Sequence, residues 1–393
     1  MRRVLLVSHE MTVTGAPNSL LRQAKYFRDA GCTVDVWTLK GGDLLPRYAE
    51  AGFAPALVGK DRQSILAQYG ANPAPYDLVV CNTICTYRAV DVLRRFPLKV
   101  AWFVRETKLL DEWFWLNRDF AAVFSEFHNV YAVSDYAASV VRRYNPNVRT
   151  VRNSVADVFR GFAEPEDDVR FGFIGSVIPD KGVDLLVEAF RRAHAECPRI
   201  SLTIAGGRPG DLSARLRAET ADLPSVRWVG QVQGAEKQAF FDAIDVLCVP
   251  SLDEPSGLTV IEGTMQGKAV ITTDRTGANY LVGEENGRIV RAGDVGSLAA
   301  ALAELGRTDV AARRLLAEAS RARYLRLGTS EVERTAVLRM FDECRPEPPA
   351  ARPLADDSKT PWFHVERYLD GRRRLYFRNL RLLAFKGKAF RPK

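Results

Sequence analysis

The chain contains two successive series of short apolar segments that alternate with helical patterns. In the first half, five segments have the composition of buried parallel strands: VLLVSH, TVDVWTL, DLVVCN, KVAWFV and NVYAVS. A second series begins near residue 169 with VRFGFIGS, ISLTIAGG, VRWVGQV, DVLCVPS, KAVITTD and GRIV. Parallel strands need crossover connections, usually helices. The alternation therefore predicts two doubly wound α/β domains that face each other across a cleft.

The length of the chain, 393 residues, suffices for two domains of ordinary size. We place the first domain at 1–160 and the second at 165–340, with the acidic patch EPEDD between the two series of strands. A stretch rich in proline and acidic residues, 345–361, has the composition of a flexible connector. The segment that follows, 362–393, mixes basic and aromatic residues.

Four helical segments are predicted with particular features. The run NSLLRQAKYFRDAG has apolar residues at helical spacing, with Asn18 as the expected cap and Gly31 as the expected stop. The segment 109–127 is also predicted to be helical and is unusually aromatic. Its aromatic side chains are expected to pack in the core, although contact with a lipid or a lipid-linked acceptor would use the same residues. Helices at 297–306 and 309–325 are expected to close the second domain.

Composition and missing motifs exclude several classes of protein. Hydrophobic residues make up 47% and charged residues 26% of the chain, which are values of globular proteins. No run of eighteen apolar residues occurs, so no transmembrane helix is expected. The six cysteines are scattered without a C-x-x-C pair, so we expect no zinc site and no disulfide framework. No G-x-G-x-x-G follows a strand, which counts against nicotinamide chemistry, and no hydrolase triad or H-E-x-x-H pattern occurs.

The net charge of +8 is concentrated late in the sequence. From Ser358 onward, eleven Lys and Arg face two acidic residues, a charge of +9, so 1–357 carries −1. A general argument for nucleic-acid binding fails on this distribution. Three interpretations are open for 362–393: docking on the first domain, contact with an anionic membrane surface, and, least favoured, binding of nucleic acid or another partner. We expect a cytoplasmic protein, peripheral on the inner face of the membrane in the second case.

Two carboxylates, Glu254 and Glu262, lie in the run EPSGLTVIEGTMQGKAVI, directly after VLCVPS. The order of strand, turn and helix places one carboxylate at the turn and the other inside the helix. Free N–H groups at the start of a helix and its partial positive charge suit a phosphate. Eight helical steps would span ~12 Å, about the distance from the sugar to the ribose of a nucleotide-sugar. An acidic loop followed by a solvated helix glutamate would give the same spacing.

Other candidate phosphate-binding groups lie in two loops. Lys181, in VIPDKG, stands at a helix start, where acidic side chains are preferred, and a bound anion would explain it. In SGLT, the N–H groups of Gly257 and Leu258 would face a diphosphate, assisted by the Thr259 hydroxyl. A solvated loop lysine and a plain helix cap by Ser256 are the alternative interpretations.

The first domain offers candidates at two strand ends. The loop SHEMTVTGAPNS is long for a strand-to-helix connection, and Gly15 would let the backbone approach the phosphate from the opposite wall. WFVRET places Arg105 and Glu106 at another strand end. A structural ion pair and a lining of the cleft are both open for these two residues. We assign Asn18, Arg105 and Glu106 to the acceptor side or the cleft.

These motifs resemble those of the retaining glycosyltransferases with the GT-B fold, family 4, also called glycosyl transferases group 1. The motifs that carry the resemblance, over about 170–275, are FGFIGSVIPDKGVDLLVEAF, TIAGG, VRWVGQV, DVLCVPS and EPSGLTVIEGTMQGKAVITTD. The first half is similar more loosely, through TGAPNS, AVSDYAASVV and TVRNSV. The resemblance covers about 1–330. It implies two Rossmann-like domains, the first for the acceptor and the second for a nucleotide-sugar donor.

The resemblance implies roles for individual residues. Glu254 is similar to the family glutamate that contacts the donor sugar, and Lys181 to the lysine that neutralises the leaving diphosphate, so both are expected to be catalytic. Glu262 matches the glutamate that binds ribose hydroxyls. The expected donor-binding set is Glu262, Ser176, Gly257, Leu258, Thr259 and Gly15.

Two positions depart from the family pattern. Ser176 stands where many members have an arginine that neutralises phosphate. Arg105 stands where a histidine is often found near the sugar, while Glu106 keeps the adjacent acidic position. Either change is expected to alter donor preference or activity.

The resemblance implies transfer of a hexose or deoxyhexose, with retention, from a nucleoside diphosphate to a polysaccharide or glycolipid acceptor. Lys181 and helix N–H groups would stabilise the departing diphosphate, so we expect neither a metal nor another cofactor. A catalytically weak or silent GT-B module that binds a sugar or a partner, and a GT-B sugar epimerase, are the alternative interpretations.

Overall fold

The computed structural model describes residues 1–71, 75–162, 164, 166–207, 211–350 and 352–357. The basic and aromatic segment 362–393 and the end of the predicted connector lie outside the described residues. The interpretations of that segment therefore stay predictions.

The first sheet has seven parallel strands in the order β3-β2-β1-β4-β5-β6-β7. Its strands are β1 (Arg3–Ser8), β2 (Thr33–Thr38), β3 (Ala56–Leu57), β4 (Leu78–Asn82), β5 (Val100–Val104), β6 (Val130–Ala132) and β7 (Val148–Thr150). The chain winds outward in both directions from β1, so the strand order reverses between β1 and β4. Such a reversal opens a crevice at the carboxyl ends of the strands.

The second sheet has six parallel strands in the order β10-β9-β8-β11-β12-β13. Its strands are β8 (Val169–Ile174), β9 (Ile200–Ala205), β10 (Val226–Gly230), β11 (Val246–Val249), β12 (Ala269–Thr273) and β13 (Gly287–Val290). Here the order reverses between β8 and β11. The prediction of two doubly wound α/β domains is confirmed.

Helices connect the strands of both sheets. Those that follow strands of the first sheet are α1 (Gly15–Asp29), α2 (Leu45–Glu50), α3 (Arg62–Ala71), α4 (Tyr87–Leu93), α5 (Lys108–Leu116), α6 (Arg118–Glu126) and α7 (Asp135–Val141). Those later in the chain are α8 (Val183–Glu196), α9 (Asp211–Glu219), α10 (Gly234–Asp242), α11 (Leu258–Met265), α12 (Val295–Gly306), α13 (Val310–Leu327) and α14 (Ser330–Glu343). In the described part of the chain, none of these helices is both long and apolar enough to cross a membrane.

The predicted strands were recognisable because their residues are buried on both faces of the sheet. β4 and β5 are buried along their whole length, as expected for parallel strands covered by helices on both sides. β3 and β7 were not predicted, since they have only two and three residues and offer no continuous apolar run.

Two predicted helices differ in detail. The segment 109–127 is divided between α5 and α6, because Asn117 leaves the helical conformation and its side chain caps α6 by accepting the N–H of Phe120. The predicted Asn18 cap is wrong. The helix begins at Gly15, and the Asn18 amide, already inside α1, donates to the Thr14 carbonyl at 2.7 Å.

The last described helix, α14, packs on the first domain, and α12 and α13 pack on the second. Val337, Met340 and Phe341 on α14 are buried in the same apolar cluster as the first sheet. Phe341 contacts Phe27 of α1 edge to face, with the ring centres 5.6 Å apart. The chain therefore crosses back to the first domain within 330–343, a stretch that we had predicted to lie mostly in the second.

Residues after α14 are attached to the first domain rather than forming the flexible connector that their composition predicts. The Glu347 carboxylate accepts the Asn129 side-chain amide at 2.6 Å and the backbone N–H of His128 at 3.1 Å. Asp357 is buried and accepts two hydrogen bonds from Arg62. These contacts satisfy both carboxylates, although the described residues 345–350 and 352–356 form neither helix nor strand.

Candidate active site

The candidate site lies where the strand order of the second sheet reverses. The loop after β8 and the loop after β11 contact each other there, through a hydrogen bond from the Leu252 N–H to the Asp180 carbonyl at 2.9 Å. Gly182 has a φ of +65°, and a side chain at this position would collide with the Pro250 carbonyl. A glycine is therefore required for the two loops to come together.

Gly257 forms the turn that starts α11. Its φ is +74°, and a Cβ atom there would lie 2.8 Å from Thr276 and 2.9 Å from the Ala278 nitrogen. Leu258 and Thr259 follow in the first turn of α11, where backbone N–H groups have no partner within the helix. This half-exposed turn presents the N–H groups and the partial positive charge expected for an anion site. The alternative of a Ser256 cap is not observed, because Gly257 is the cap residue.

The two candidate catalytic residues form an ion pair. The Lys181 ammonium group contacts the Glu254 carboxylate, and both side chains are partly exposed. The second oxygen of Glu254 accepts the Gly257 N–H at 3.2 Å. The backbone of Glu254 pairs with the segment at Thr276 as a short parallel bridge. The cation, the carboxylate and the helix start are thus brought to one point.

The predicted distance of ~12 Å between Glu254 and Glu262 rests on eight helical steps between them. This assumption is wrong. Only the steps after Leu258 are helical, because Glu254 lies in the bridge and Gly257 in a left-handed turn. Glu262 sits on α11, where Lys237 of α10 donates to its carboxylate at 2.6 Å. Lys237 was not among the predicted site residues.

Three of the remaining predicted positions, Ser176, Gly15 and Asn18, lie in the loop after β8 and at the start of α1. Ser176 is exposed after β8 and adds no charge near Lys181. Gly15 is exposed at the start of α1, with open space around its Cα. Asn18 is half-buried, and its side-chain amide donates to the carbonyl of Thr14, the N-cap of α1; among the described residues no hydrogen bond connects it to the loops of the second domain.

At the opposite wall, Arg105 and Glu106 directly follow β5, and their side chains make separate contacts. The Arg105 guanidinium donates to Asn82 at 2.5 Å and to Asn153 at 3.1 Å. The Glu106 carboxylate accepts the N–H groups of Arg105 and Ile84 at 2.8 and 3.2 Å. Burial lowers the pKa of Arg105 to about 10 and raises the pKa of Glu106, since both charged forms lose water. Arg105 and Glu106 therefore do not form a simple ion pair with each other.

Three buried polar atoms at this wall have no hydrogen-bond partner among the residues that the structure describes. They are Nη2 of Arg105, Oγ1 of Thr83 and Nδ1 of His9. Thr83, at the end of β4, also has a φ of +77°, which is unfavourable for a β-branched residue. Strained backbone and unpaired polar groups concentrate where ligands bind. The carboxyl ends of β1, β4 and β5 therefore form the candidate acceptor wall.

A chain of hydrogen bonds connects the acceptor wall to the donor loop. Asn82 donates to the Ala16 carbonyl at 3.1 Å and accepts from Arg105. Arg105 donates to Asn153, which in turn donates to Ser256 at 2.7 Å. Arg105 is a member of this network, whereas Gly15 is next to Ala16 in the chain and Gly257 is next to Ser256. Residues predicted from three distant parts of the sequence are thus connected by one network.

Five residues that make hydrogen bonds within the acceptor wall or between the two domains were not predicted from the sequence: Asn82, Thr107, Tyr136, Asn153 and Asp253. Asn82 ends a strand, Thr107, Asn153 and Asp253 lie in loops that follow strands, and Tyr136 lies in the first turn of α7, so the position after a strand was the available signal for four of them. Among the residues that the structure describes, His, Cys, Asp and Glu form no group of three or more that could hold a metal ion. The expected metal independence stays a prediction.

Two family models match separate parts of the chain. The model described as "Glycosyl-transferase family 4" matches 1–132, and the model described as "Glycosyl transferases group 1" matches 168–307. Between them they cover the first sheet up to β6 and the whole second sheet, with the donor loop included.

Curated relatives match over shorter segments. The chain is 32% identical over 147 residues to phosphatidyl-myo-inositol mannosyltransferase of Mycobacterium leprae, covering 37% of this chain and 38% of the relative. It is 31% identical over 184 residues to D-inositol 3-phosphate glycosyltransferase of Stackebrandtia nassauensis, covering 44% and 41%. The matched segments thus span about two fifths of either relative.

Solved structures share the fold over most of the chain. The Anabaena protein HepE in complex with UDP superposes with a TM-score of 0.72 at 16% identity, covering 87% of this chain and all of HepE. Sucrose-phosphate synthase of Thermosynechococcus elongatus gives 0.69 at 18% identity, covering 87% and 99%. At this identity the likeness shows the fold alone, and the predicted GT-B architecture is confirmed. With the two family models, these findings establish that the chain belongs to the group 1, or family 4, glycosyltransferases.

Proposed function

We propose that the protein transfers a hexose or deoxyhexose, with retention of configuration and without a metal, from a nucleoside diphosphate donor to a glycan or glycolipid acceptor. The observation that carries the proposal is the contact of Lys181 with Glu254 at the left-handed turn before α11. This arrangement supplies a cation, a carboxylate and helix N–H groups at one point of the cleft.

The donor is held by the second domain. The diphosphate sits at the N-terminus of α11, with the N–H groups of Leu258 and Thr259 and the ammonium group of Lys181 around it. Glu262 accepts the ribose hydroxyls. Without ligand, Glu254 holds Lys181 in place, and the diphosphate competes for this cation when the donor binds.

In the transfer step, the bond between the anomeric carbon and the diphosphate oxygen breaks, and its electron pair goes to the diphosphate. Lys181 and the α11 N–H groups stabilise this developing charge because they are already oriented toward it. The acceptor oxygen bonds to the anomeric carbon on the face that the diphosphate leaves. Its proton passes to a phosphate oxygen of the leaving group, and Glu254 orients the sugar.

The acceptor binds against the wall of the first domain. Arg105, His9 and Thr83 lie there with buried polar atoms that have no partner among the described residues, next to the Glu106 carboxylate. Gly15 and Asn18 flank the entrance from α1. The mannosyltransferase and the glycosyltransferase among the relatives are named for a phosphatidyl-inositol and an inositol phosphate. A lipid-linked or phosphorylated polyol is therefore the first acceptor class to test.

We further propose a cytoplasmic protein that binds the inner face of the membrane through 362–393. The support is compositional: Arg and Lys alternate with Tyr, Phe and Leu in this segment. Each basic residue near an anionic surface contributes about 1 kcal/mol. Flotation with vesicles of phosphatidylcholine and phosphatidylserine, comparing the full chain with one ending at 357, tests this. Equal binding of both chains would refute the anchor.

The activity is tested with a thermal-shift screen of UDP-, GDP-, ADP- and dTDP-sugars, followed by measurement of nucleoside diphosphate release with and without EDTA. A true donor raises the melting temperature because it binds only the native state. Release that continues in EDTA and stops in Glu254→Gln supports the proposal. Arg314→Ala, which removes one partner of an exposed ion pair on α13, is the matched control. A donor that binds without turnover would identify a silent sugar-binding module instead.

A further inference from the structure

We propose that Asp253 is a positioning residue, which joins the donor loop to the first domain through hydrogen bonds from Thr107 and Tyr136. We call these three residues the Asp253 clasp. Their effect on rate rests on the proposed function, whereas their effect on the arrangement of the two domains does not.

The geometry of the clasp is well defined. The Thr107 hydroxyl lies 2.6 and 2.8 Å from the two carboxylate oxygens of Asp253. The Tyr136 hydroxyl donates to Oδ1 at 2.6 Å. Thr107 is 3% exposed, so its hydroxyl has little alternative access to water. Hydroxyl bonds to a carboxylate are short and stronger than bonds between neutral groups.

Two further hydrogen bonds reach the same loop from the first domain. Ser134, the N-cap of α7, donates to the Pro255 carbonyl at 2.6 Å. Asn153 donates to Ser256 at 2.7 Å. Loops after β5, β6 and β7 therefore all hold the segment between β11 and α11. A nearby bond from Lys108 to Asp180 is exposed, and such pairs contribute little.

The clasp lies next to the candidate site along both chain segments. Thr107 follows Arg105 and Glu106, which belong to the acceptor wall. Asp253 precedes Glu254, which contacts Lys181. A movement of the clasp therefore moves both walls relative to each other. Group transfer is sensitive to such displacements, since a misplacement of about 1 Å can cost a factor of 10² in rate.

The clasp is held by neutral donors, which suits a contact that opens and closes. Burial, with the hydrogen bond and the charge of Asp253, raises the pKa of Tyr136, so its hydroxyl remains a donor at neutral pH. The Asp253 carboxylate is partly exposed, so water can replace the hydroxyl donors when the clasp opens. The cleft can therefore open for the donor without leaving a buried charge unpaired.

A purely structural role makes a different prediction from a positioning role. The groups proposed to hold the nucleoside diphosphate, Lys181 and the start of α11, lie entirely in the second domain. Loss of a positioning contact should therefore lower kcat and leave the affinity for the nucleoside diphosphate unchanged. Loss of a contact that merely stabilises the fold should lower both.

The test uses the full chain with the double substitution Thr107→Val and Tyr136→Phe. We expect kcat for donor turnover to fall at least about tenfold, which corresponds to about 1.4 kcal/mol. The Kd for the nucleoside diphosphate that stabilises the wild type, among UDP, GDP, ADP and dTDP, should stay within about twofold. Thr107→Ser, which keeps the hydroxyl, should behave as the wild type.

Tyr144→Phe is the matched control, because Tyr144 donates to Asp111 at 2.7 Å within the first domain. It loses the same kind of bond without loosening the clasp, so kcat should not change. A double variant with wild-type kcat would overturn the proposal, and so would a parallel loss of kcat and nucleoside diphosphate affinity.

Small-angle X-ray scattering separates failure of the clasp from failure of the proposed function. Opening of the cleft should increase the radius of gyration of the double variant but not that of Thr107→Ser or Tyr144→Phe. If the wild type turns over no donor, the proposed function fails, and scattering alone decides about the clasp. Identical radii for all four proteins would overturn it.

Discussion

The Lys181 ammonium group contacts the Glu254 carboxylate across two loops that leave the neighbouring strands β8 and β11. Seventy-three positions separate the two residues in the sequence. Their contact depends on Gly182 and Gly257, both in left-handed conformations, which allow the loops to approach.

The first prediction concerns this pair. Lys181→Ala and Glu254→Gln should each lower kcat by about 10² to 10³, because removing one preorganised group at a developing charge has such an effect. Both side chains are partly exposed, so the melting temperature should change little. Steady-state kinetics and calorimetry check the two parts, and turnover near the wild-type rate would remove the residue from the mechanism.

The second prediction concerns Gly257. Gly257→Ala combines an unfavourable φ with collisions against Thr276 and Ala278, and should reduce the free energy of unfolding by more than about 1 kcal/mol. Gly52→Ala is the control, since Gly52 has a similar φ of +83° but open space around it. Chemical denaturation compares them. Equal losses would show that the crowding at the α11 turn is unimportant.

The third prediction concerns Glu333 on α14. This carboxylate is 1% exposed and accepts hydrogen bonds from Arg22, Tyr26 and Ser154 of the first domain. Glu333→Ala leaves the partly exposed Arg22 and the buried hydroxyls of Tyr26 and Ser154 without their acceptor, and should cost about 3 kcal/mol of unfolding free energy. Glu331→Ala, at an exposed pair with Arg334, should cost less than about 1 kcal/mol. A small loss for both would contradict the docking of α14.

The fourth prediction concerns pH. Burial lowers the pKa of Lys268 to about 8 from its usual value of 10.5. Between these values the native state binds fewer protons than the unfolded state, so stability should rise with pH across this window. Lys268→Met removes a buried charge and should stabilise the protein at pH 7 by on the order of 2 kcal/mol. The exposed Lys25→Met serves as the control.

Unfolding free energies measured at several pH values check this. The advantage of Lys268→Met over the wild type should shrink as pH rises from about 8 toward 10.5, because in this window the native lysine is already neutral while the lysine of the unfolded state keeps its charge. A pH-independent difference would show that packing rather than charge causes the effect.

Much of the fold could be predicted from local patterns. β4 and β5 appear as continuous apolar runs because helices cover both faces of the sheet. β3 and β7 could not be predicted, because their pairing with β2 and β6 defines them as strands and their own short sequences do not. Asn18 has the chemistry of a helix cap and predicts one, yet the helix starts three residues earlier.

Part of the candidate site was also visible in the sequence. Glu254, Gly257 and Glu262 lie within nine consecutive residues, and Lys181 stands at a helix start that disfavours cations. By contrast, Lys237, Asp253 and Tyr136 are ordinary polar residues in their local context. Lys237 has a role only through its contact with Glu262. Asp253 has one only through the hydrogen bonds that it accepts from Thr107 and Tyr136.

The sequence by itself determined two doubly wound domains and the donor loop, because strand burial, helix starts and glycine turns depend on residues close together in the chain. The tertiary structure alone decided that α14 returns to the first domain and that Asp253 meets Thr107 and Tyr136. These partners are 146 and 117 positions away, and no local spacing records such a distance. Their contact arises only when the two sheets bring their carboxyl ends together.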